Sequence, residues 1–268
     1  MSKKPNFSPS KLTTYLACPV KYRWTYVDPR GKWYARAKSY YSFGTTLHRV
    51  LERLHDSEDR GVETTYQALA AMDESWLDAG YGSADEMLES QGEGKAIIEA
   101  YVEEHLRMAP TSKTIAVEKS LRWDLGDFNL IGRIDRLDEH EDGSLEIVDY
   151  KTGRNSVSEE DVASDIAMAC YQLLVRKHYP ERHVRASIIA VRSSQRATYA
   201  MSEEELAEFE FDLRELGRRI LSHDFFELEP RPKRLCQGCD FLRLCQKHPE
   251  FDIGELGEPV DTDSPLVN

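Results

Sequence analysis

Two short runs near the middle of the chain carry residue types that hold cations and move protons. They are Gly132-Arg133-Ile134-Asp135-Arg136 and Glu146-Ile147-Val148-Asp149-Tyr150-Lys151-Thr152-Gly153. Residues two apart on a strand share a face, so Asp149 and Lys151 project together. Asp135 falls on the preceding strand of an expected hairpin and comes beside them. Converging carboxylates repel unless a cation sits between them, and oxygen donors suit hard Mg²⁺ or Mn²⁺. An ammonium next to such an ion can orient or help deprotonate an attacking water, or stabilise charge developing on a phosphate. A bare Asp-x-Lys triplet is common and more often a surface salt bridge, so its neighbours decide the matter. His48 lies beside the apolar stripe of Leu47, Val50 and Leu51. Gln172 follows the Lys151 strand on a helix, and Glu118, the weakest companion, sits on the first expected strand.

The elements that must position these groups follow from period and punctuation. Ser8 and Ser10 can cap a helix over 11–17, which Cys18-Pro19 ends or kinks, and a second helix is expected over 20–27. Apolar spacing predicts helices over 45–54, 62–80 and 84–108. From Thr114 the period changes to strands over 114–123, 129–138 and 144–151, with turns at Gly126-Asp127 and Asp142-Gly143. A helix over 159–179 precedes strands over 184–192 and 197–201, and Ser202 with Glu205 forms a capping box for a helix to about Ser222. Helices, a strand-rich centre and helices again predict an α/β core wrapped by helical arms. The chain reads as a single domain. Within it lie a basic aromatic arm over 1–60, a helical insert over 61–112, a core over 113–225, a Cys-rich segment over 226–250 and an acidic tail over 251–268.

The net charge of −13, from 35 basic and 48 acidic residues, argues against nucleic acid when taken as an average. Along the chain it is uneven. Residues 1–50 hold ten basic side chains and one acid, and they carry ten of the 26 aromatics. Charges interleaved with rings suit an unpaired strand, phosphates on Lys and Arg and bases on the rings. Composition alone leans somewhat to the alternative, in which the rings are core and the charges a solvated rim. No apolar run is long enough to span a bilayer, and the basic start lacks the apolar stretch of a signal peptide, so a cytoplasmic protein is expected.

Five cysteines occur, at 18, 170, 236, 239 and 245, and an odd count does not suggest disulfides. Cys236-x2-Cys239-x5-Cys245 can hold a metal in two ways. Cys18 can complete four thiolates around an iron–sulfur cluster, or His248 can complete a local zinc knuckle. Ligand spacing slightly favours zinc. Cys170 reads as a buried small apolar residue.

The runs SPSKLTTYLACPVKYRW, GTTLHRVLE, GRIDRLD, VDYKTG and YQLL, in that order from Phe7 to Cys245, resemble the RecB-like branch of the PD-(D/E)XK nuclease superfamily. The likeness is closest to its iron–sulfur members, such as the AddB nuclease domain and the CRISPR-associated nucleases. The resemblance implies a restriction-endonuclease-like fold, a central mixed sheet flanked by helices. It implies His48, Asp135, Asp149 and the main-chain carbonyl of Tyr150 as ligands of Mg²⁺ or Mn²⁺, Lys151 as catalytic, and Gln172 as part of a Q-x-x-x-Y motif whose tyrosine is here Arg176. It favours a [4Fe-4S] cluster on Cys18, Cys236, Cys239 and Cys245 over zinc, as a structural clasp. Lys11, Tyr15, Lys21, Tyr22, Arg23, Arg136 and Arg176 are then candidate DNA contacts.

The activity implied is a single-stranded DNA exonuclease of repair, recombination, phage DNA processing or CRISPR adaptation. No helicase P-loop is present, so unwinding would need a partner. A non-catalytic iron–sulfur or zinc subunit of a nuclease complex is the alternative class, and a hydrolase of some other substrate is a third.

Overall fold

The computed structural model describes residues 4–56, 62–108, 111–153 and 156–254. Most of the expected acidic tail, from 255 on, lies outside the described residues. In chain order the elements are β1 (Asn6–Phe7), α1 (Pro9–Ala17), α2 (Pro19–Tyr22), α3 (Ser39–His55), α4 (Thr65–Ser75), α5 (Ala84–Arg107), β2 (Ser112–Asp124), β3 (Asn129–His140) and β4 (Leu145–Lys151). They continue with α6 (Glu159–Ser164), α7 (Ile166–His178), β5 (Val184–Ala190), β6 (Gln195–Tyr199), α8 (Glu203–Ser222) and α9 (Leu242–Cys245). The chain forms two compact units. The smaller comprises Met1–Arg36, Asp124–Asn129 and Phe211–Asn268, and the larger Ala37–Trp123 and Leu130–Glu210.

In the larger unit β2 pairs with β3, and the sheet continues in the order β3-β4-β5-β6. β3 and β4 are antiparallel, with Arg136 opposite Val148 and Asp138 opposite Glu146. β4 and β5 are parallel, which sets Asp149 beside Ile188 and Lys151 beside Ala190. A parallel pair needs a crossover, and α6 with α7 supplies it. β4 is buried along nearly its whole length, as a central strand covered on both faces must be. On one side Phe43, Leu47, Val50 and Leu51 of α3 pack with Met72, Ile98 and Val102 against Val148 and Tyr150. This is the α/β arrangement, a mixed sheet flanked by helices, expected from the sequence.

Local chemistry explains most boundaries. The Ser8 hydroxyl accepts from the Lys11 amide at 3.4 Å, and Pro9 opens α1. Ser158 and Asp161 form a reciprocal capping box at α6, and Ser202 and Glu205 do the same at α8. Several expectations shift, and the helix expected over 62–80 is confined to Thr65–Ser75. The helix over 159–179 breaks at Asp165, whose carboxylate accepts from the amides of Ala167 and Met168 and so starts α7 afresh. The helix expected from Thr45 begins at Ser39. The stretch 20–27 divides into α2 and a π turn over Arg23–Val27. Gly132 has a packing reason, since a Cβ there would come within 2.7 Å of Leu174 and 2.9 Å of Tyr171 on α7.

In the smaller unit Phe7 meets Phe128 at 4.9 Å between ring centroids. Gly217 of α8 lies so close to Phe128 that a Cβ would come within 2.0 Å. The Tyr15 hydroxyl bonds His223 Nδ1 at 2.8 Å, and Tyr22 stacks on Phe225 at 5.2 Å. Tyr15 and Tyr22, offered above as DNA contacts, are therefore buried in this core. Other rings of the basic segment, Trp33, Tyr40 and Tyr41, are exposed. Among the described residues no helix is long and apolar enough to cross a membrane.

Candidate active site

α3 and strands β2, β3 and β4 bring His48, Glu118 and Asp135 together, with one ligand atom of each within 4.8 Å of the others. The His48 ring spans the site. Its Nε2 donates to the Tyr150 carbonyl at 2.9 Å, and its Nδ1 lies 3.4 Å from Asp135 Oδ2. The same Asp135 oxygen accepts from the Tyr150 amide at 2.9 Å, so residue 150 offers both main-chain groups to this corner. Lys151 Nζ pairs with Asp149 Oδ2 at 2.8 Å. Every atom named belongs to the larger unit.

The electrostatics follow from crowding. Burial works to lower the His48 pKa, but Asp135 and the neighbouring acids raise it to about 9. Burial works to raise Asp135, and the His48 contact holds it below the usual carboxylate range. Burial lifts Asp149 to about 6 despite Lys151. Burial opposes the Lys151 charge, yet Asp149 and Asp165 hold its pKa above the ordinary lysine range. An imidazole, two carboxylates and a peptide carbonyl facing one point are the donor set of a hard divalent cation, so these residues fit such an ion.

Glu118, the weakest sequence candidate, is thus one of the three converging side chains. It does so from φ 46, a left-handed conformation inside a strand that aims its carboxylate away from the regular alternation. Arg133 pairs with it at 2.6 Å. Asp149, expected as a ligand, is not among the three, and its charge faces Lys151.

Gln172 is fully buried, and its Oε1 accepts from the Met201 amide at 3.0 Å. Its neighbour Tyr171 is the α7 side chain that feels Asp149 and Asp135. Asp165, also passed over in the sequence, adds its negative charge to the surroundings of Lys151 and Asp149. Arg176 closes the C-terminal end of α7 through the Pro180 carbonyl and pairs with Glu203. Arg136 is only 6 % exposed. It bonds the Tyr150 hydroxyl at 2.7 Å and Asp138 at 3.1 Å, so it is an interior cation and not a surface contact for DNA.

In the smaller unit Cys18, Cys236, Cys239 and Cys245 line one pocket with Lys21, Arg231 and apolar side chains. Backbone amides point at two of the sulfurs, Lys21 N–H at Cys18 Sγ (3.4 Å) and Lys233 N–H at Cys236 Sγ (3.3 Å). Burial and the neighbouring thiols push Cys245 up to about 12. Lys233 Nζ reaches the Ala17 carbonyl at 2.6 Å, tying the two cysteine-bearing segments together. His248 is exposed and does not line the pocket. Cys170 is buried elsewhere, in the larger unit.

A family model described as the PD-(D/E)XK nuclease superfamily matches residues 6–246. The chain belongs to the PD-(D/E)XK nuclease superfamily. Its expected chemistry is metal-dependent cleavage of phosphodiesters, with DNA as substrate. No curated protein matches the chain. The solved crystal structure of SSO0001 is similar at 14% identity with a TM-score of 0.37, over 92% of this chain and 88% of that one. At that level the likeness says nothing further about this nuclease.

Proposed function

We propose that this PD-(D/E)XK protein is a RecB-like, iron–sulfur DNA exonuclease acting on single-stranded ends, in repair, recombination, phage DNA processing or CRISPR adaptation. The convergence of His48, Glu118 and Asp135 beside the Asp149–Lys151 pair carries the reading. His48, Glu118, Asp135, Asp149 and the Tyr150 carbonyl would hold Mg²⁺ or Mn²⁺, which when bound polarises a phosphodiester and makes water a better nucleophile. Asp135 and Glu118 supply the negative charge that selects a cation there. Lys151, paired with Asp149, would donate to a phosphate oxygen or orient water.

The cysteine pocket supports a cluster better than zinc. A tetrahedral Zn–S₄ site with bonds near 2.3 Å would bring the sulfurs to about 3.8 Å of one another. Among the described residues the cysteines form no group of three ligand atoms within 4.8 Å, and His248 points to no such role. Amide N–H groups aimed at sulfur are the contacts that tune a thiolate-held cluster.

The deciding experiment is Mn²⁺-dependent degradation of a labelled single-stranded oligonucleotide. Cleavage by the wild type that disappears in Lys151→Ala is the expected result. A wild type with its cluster intact that cleaves with neither Mg²⁺ nor Mn²⁺ overturns the enzyme reading. For the cluster, anaerobically purified protein should absorb broadly near about 400 nm, and a colourless protein with stoichiometric zinc would overturn that part.

A further inference from the structure

α3 carries more than His48. Seven residues make almost two helical turns, so Tyr41 and His48 lie on nearly the same face, about 10 Å apart along the axis. Between them is Gly44, where a Cβ would come 3.1 Å from the hydroxyl of Thr152, the residue after Lys151. The helix face that holds His48 over Asp135 therefore runs along the end of β4 and finishes at Tyr41. There it presents an aromatic ring that is 57 % exposed, with the Tyr40 ring 4.4 Å away and 46 % exposed. Phe43, on the other side of the helix, is buried against Trp76, so the turn is anchored while its two tyrosines face outward. All of these residues belong to the larger unit.

We infer that Tyr41, flanked by Tyr40, is a stacking platform for an unpaired nucleobase of the strand whose phosphodiester lies at the His48–Asp135 corner. The inference rests on the nuclease reading and specifies its substrate. A ring two turns from the reacting phosphate, continuous with the site along one helix face, is placed to hold a base of a neighbouring nucleotide. Stacking accepts any base because each has a π-face, and it is denied to bases still paired in a duplex. The platform thus makes the site prefer single strands without reading sequence.

The test is the binding of a 5′-labelled twelve-residue oligothymidylate by fluorescence anisotropy, in the Lys151→Ala background so that turnover does not intrude. Tyr41→Ala should weaken binding about tenfold, and Tyr41→Trp should restore it. A twelve-residue abasic deoxyribose-phosphate chain should bind Tyr41→Ala and its parent alike. Equal affinity of Tyr41→Ala and its parent for oligothymidylate overturns the platform. So does an equal loss on the abasic chain, which would mark a merely structural effect. Failure of the wild type to cleave any oligonucleotide overturns the nuclease reading and is seen separately, because the binding measurement does not depend on turnover.

Discussion

At the scale of single residues the chemistry reduces to a few charges held close together. Lys151→Ala should cut cleavage at least a hundredfold, measured as single-turnover rates at saturating Mn²⁺, since it removes a preorganised donor. Glu118 offers a sharper test because its backbone is strained. Glu118→Gly should weaken Mn²⁺ binding several-fold by calorimetry while leaving thermal stability equal or higher, because glycine adopts φ 46 without steric cost. Glu118→Ala should weaken binding equally and keep the strain. The Asp149–Lys151 pair was legible from the strand period of two. Glu118 was not, because its aim depends on one left-handed residue inside a strand, and spacing does not encode that. The Gln172 contact was not legible for a related reason: one residue turns a helix face by about 100°, so Tyr171 feels the charges of Asp149 and Asp135 while Gln172 accepts from the Met201 amide.

At the scale of elements β4 is held from behind. The Tyr150 side chain points to the opposite face from Asp149 and meets a buried network of Arg136, His55 and Tyr101. Arg136 Nη1 donates to the Tyr150 hydroxyl and to His55 Nε2, each at 2.7 Å. Burial and the Arg136 charge keep His55 well below the usual histidine pKa, so it stays neutral and can accept. Tyr150→Phe should cost about 1–3 kcal/mol of stability, because it leaves a buried cationic donor short of an acceptor. It should also raise the Mn²⁺ concentration needed for half-maximal cleavage, since the main chain of the same residue contacts His48 and Asp135. Thermal denaturation and a metal titration read the two effects. Sequence period located these strands and most helices within a few residues. The break at Asp165 escaped it because the apolar pattern continues through the break, and only the side chain's capping of Ala167 and Met168 reveals it.

At the scale of the whole molecule, acid lability has an identifiable source. Glu146 is buried on β4. Burial alone would raise its pKa, but Ser187, Arg196 and His140 bring it from the ordinary 4.5 to about 2. A depressed pKa adds stability that is complete above about pH 4.5 and lost as pH falls toward 2, here on the order of 3 kcal/mol. Wild-type stability should therefore fall steeply across that window, and Glu146→Gln should be less stable at pH 7 with a flatter acid limb in denaturant titrations. Cys18→Ala should lower the melting temperature and abolish visible absorption; if both are untouched, the cysteine pocket has no structural cluster. The global charge of −13 concealed the arrangement, whereas the order of motifs along the chain disclosed it. The division into two units was illegible because the smaller is built from three separated stretches. That discontinuity sets a schedule for biosynthesis. Cys18 leaves the ribosome more than two hundred residues before Cys236 and Cys245. At about 5–20 residues per second the first thiol waits roughly 10–45 s for its partners, so any cofactor they share cannot be held by all of them until that interval has passed.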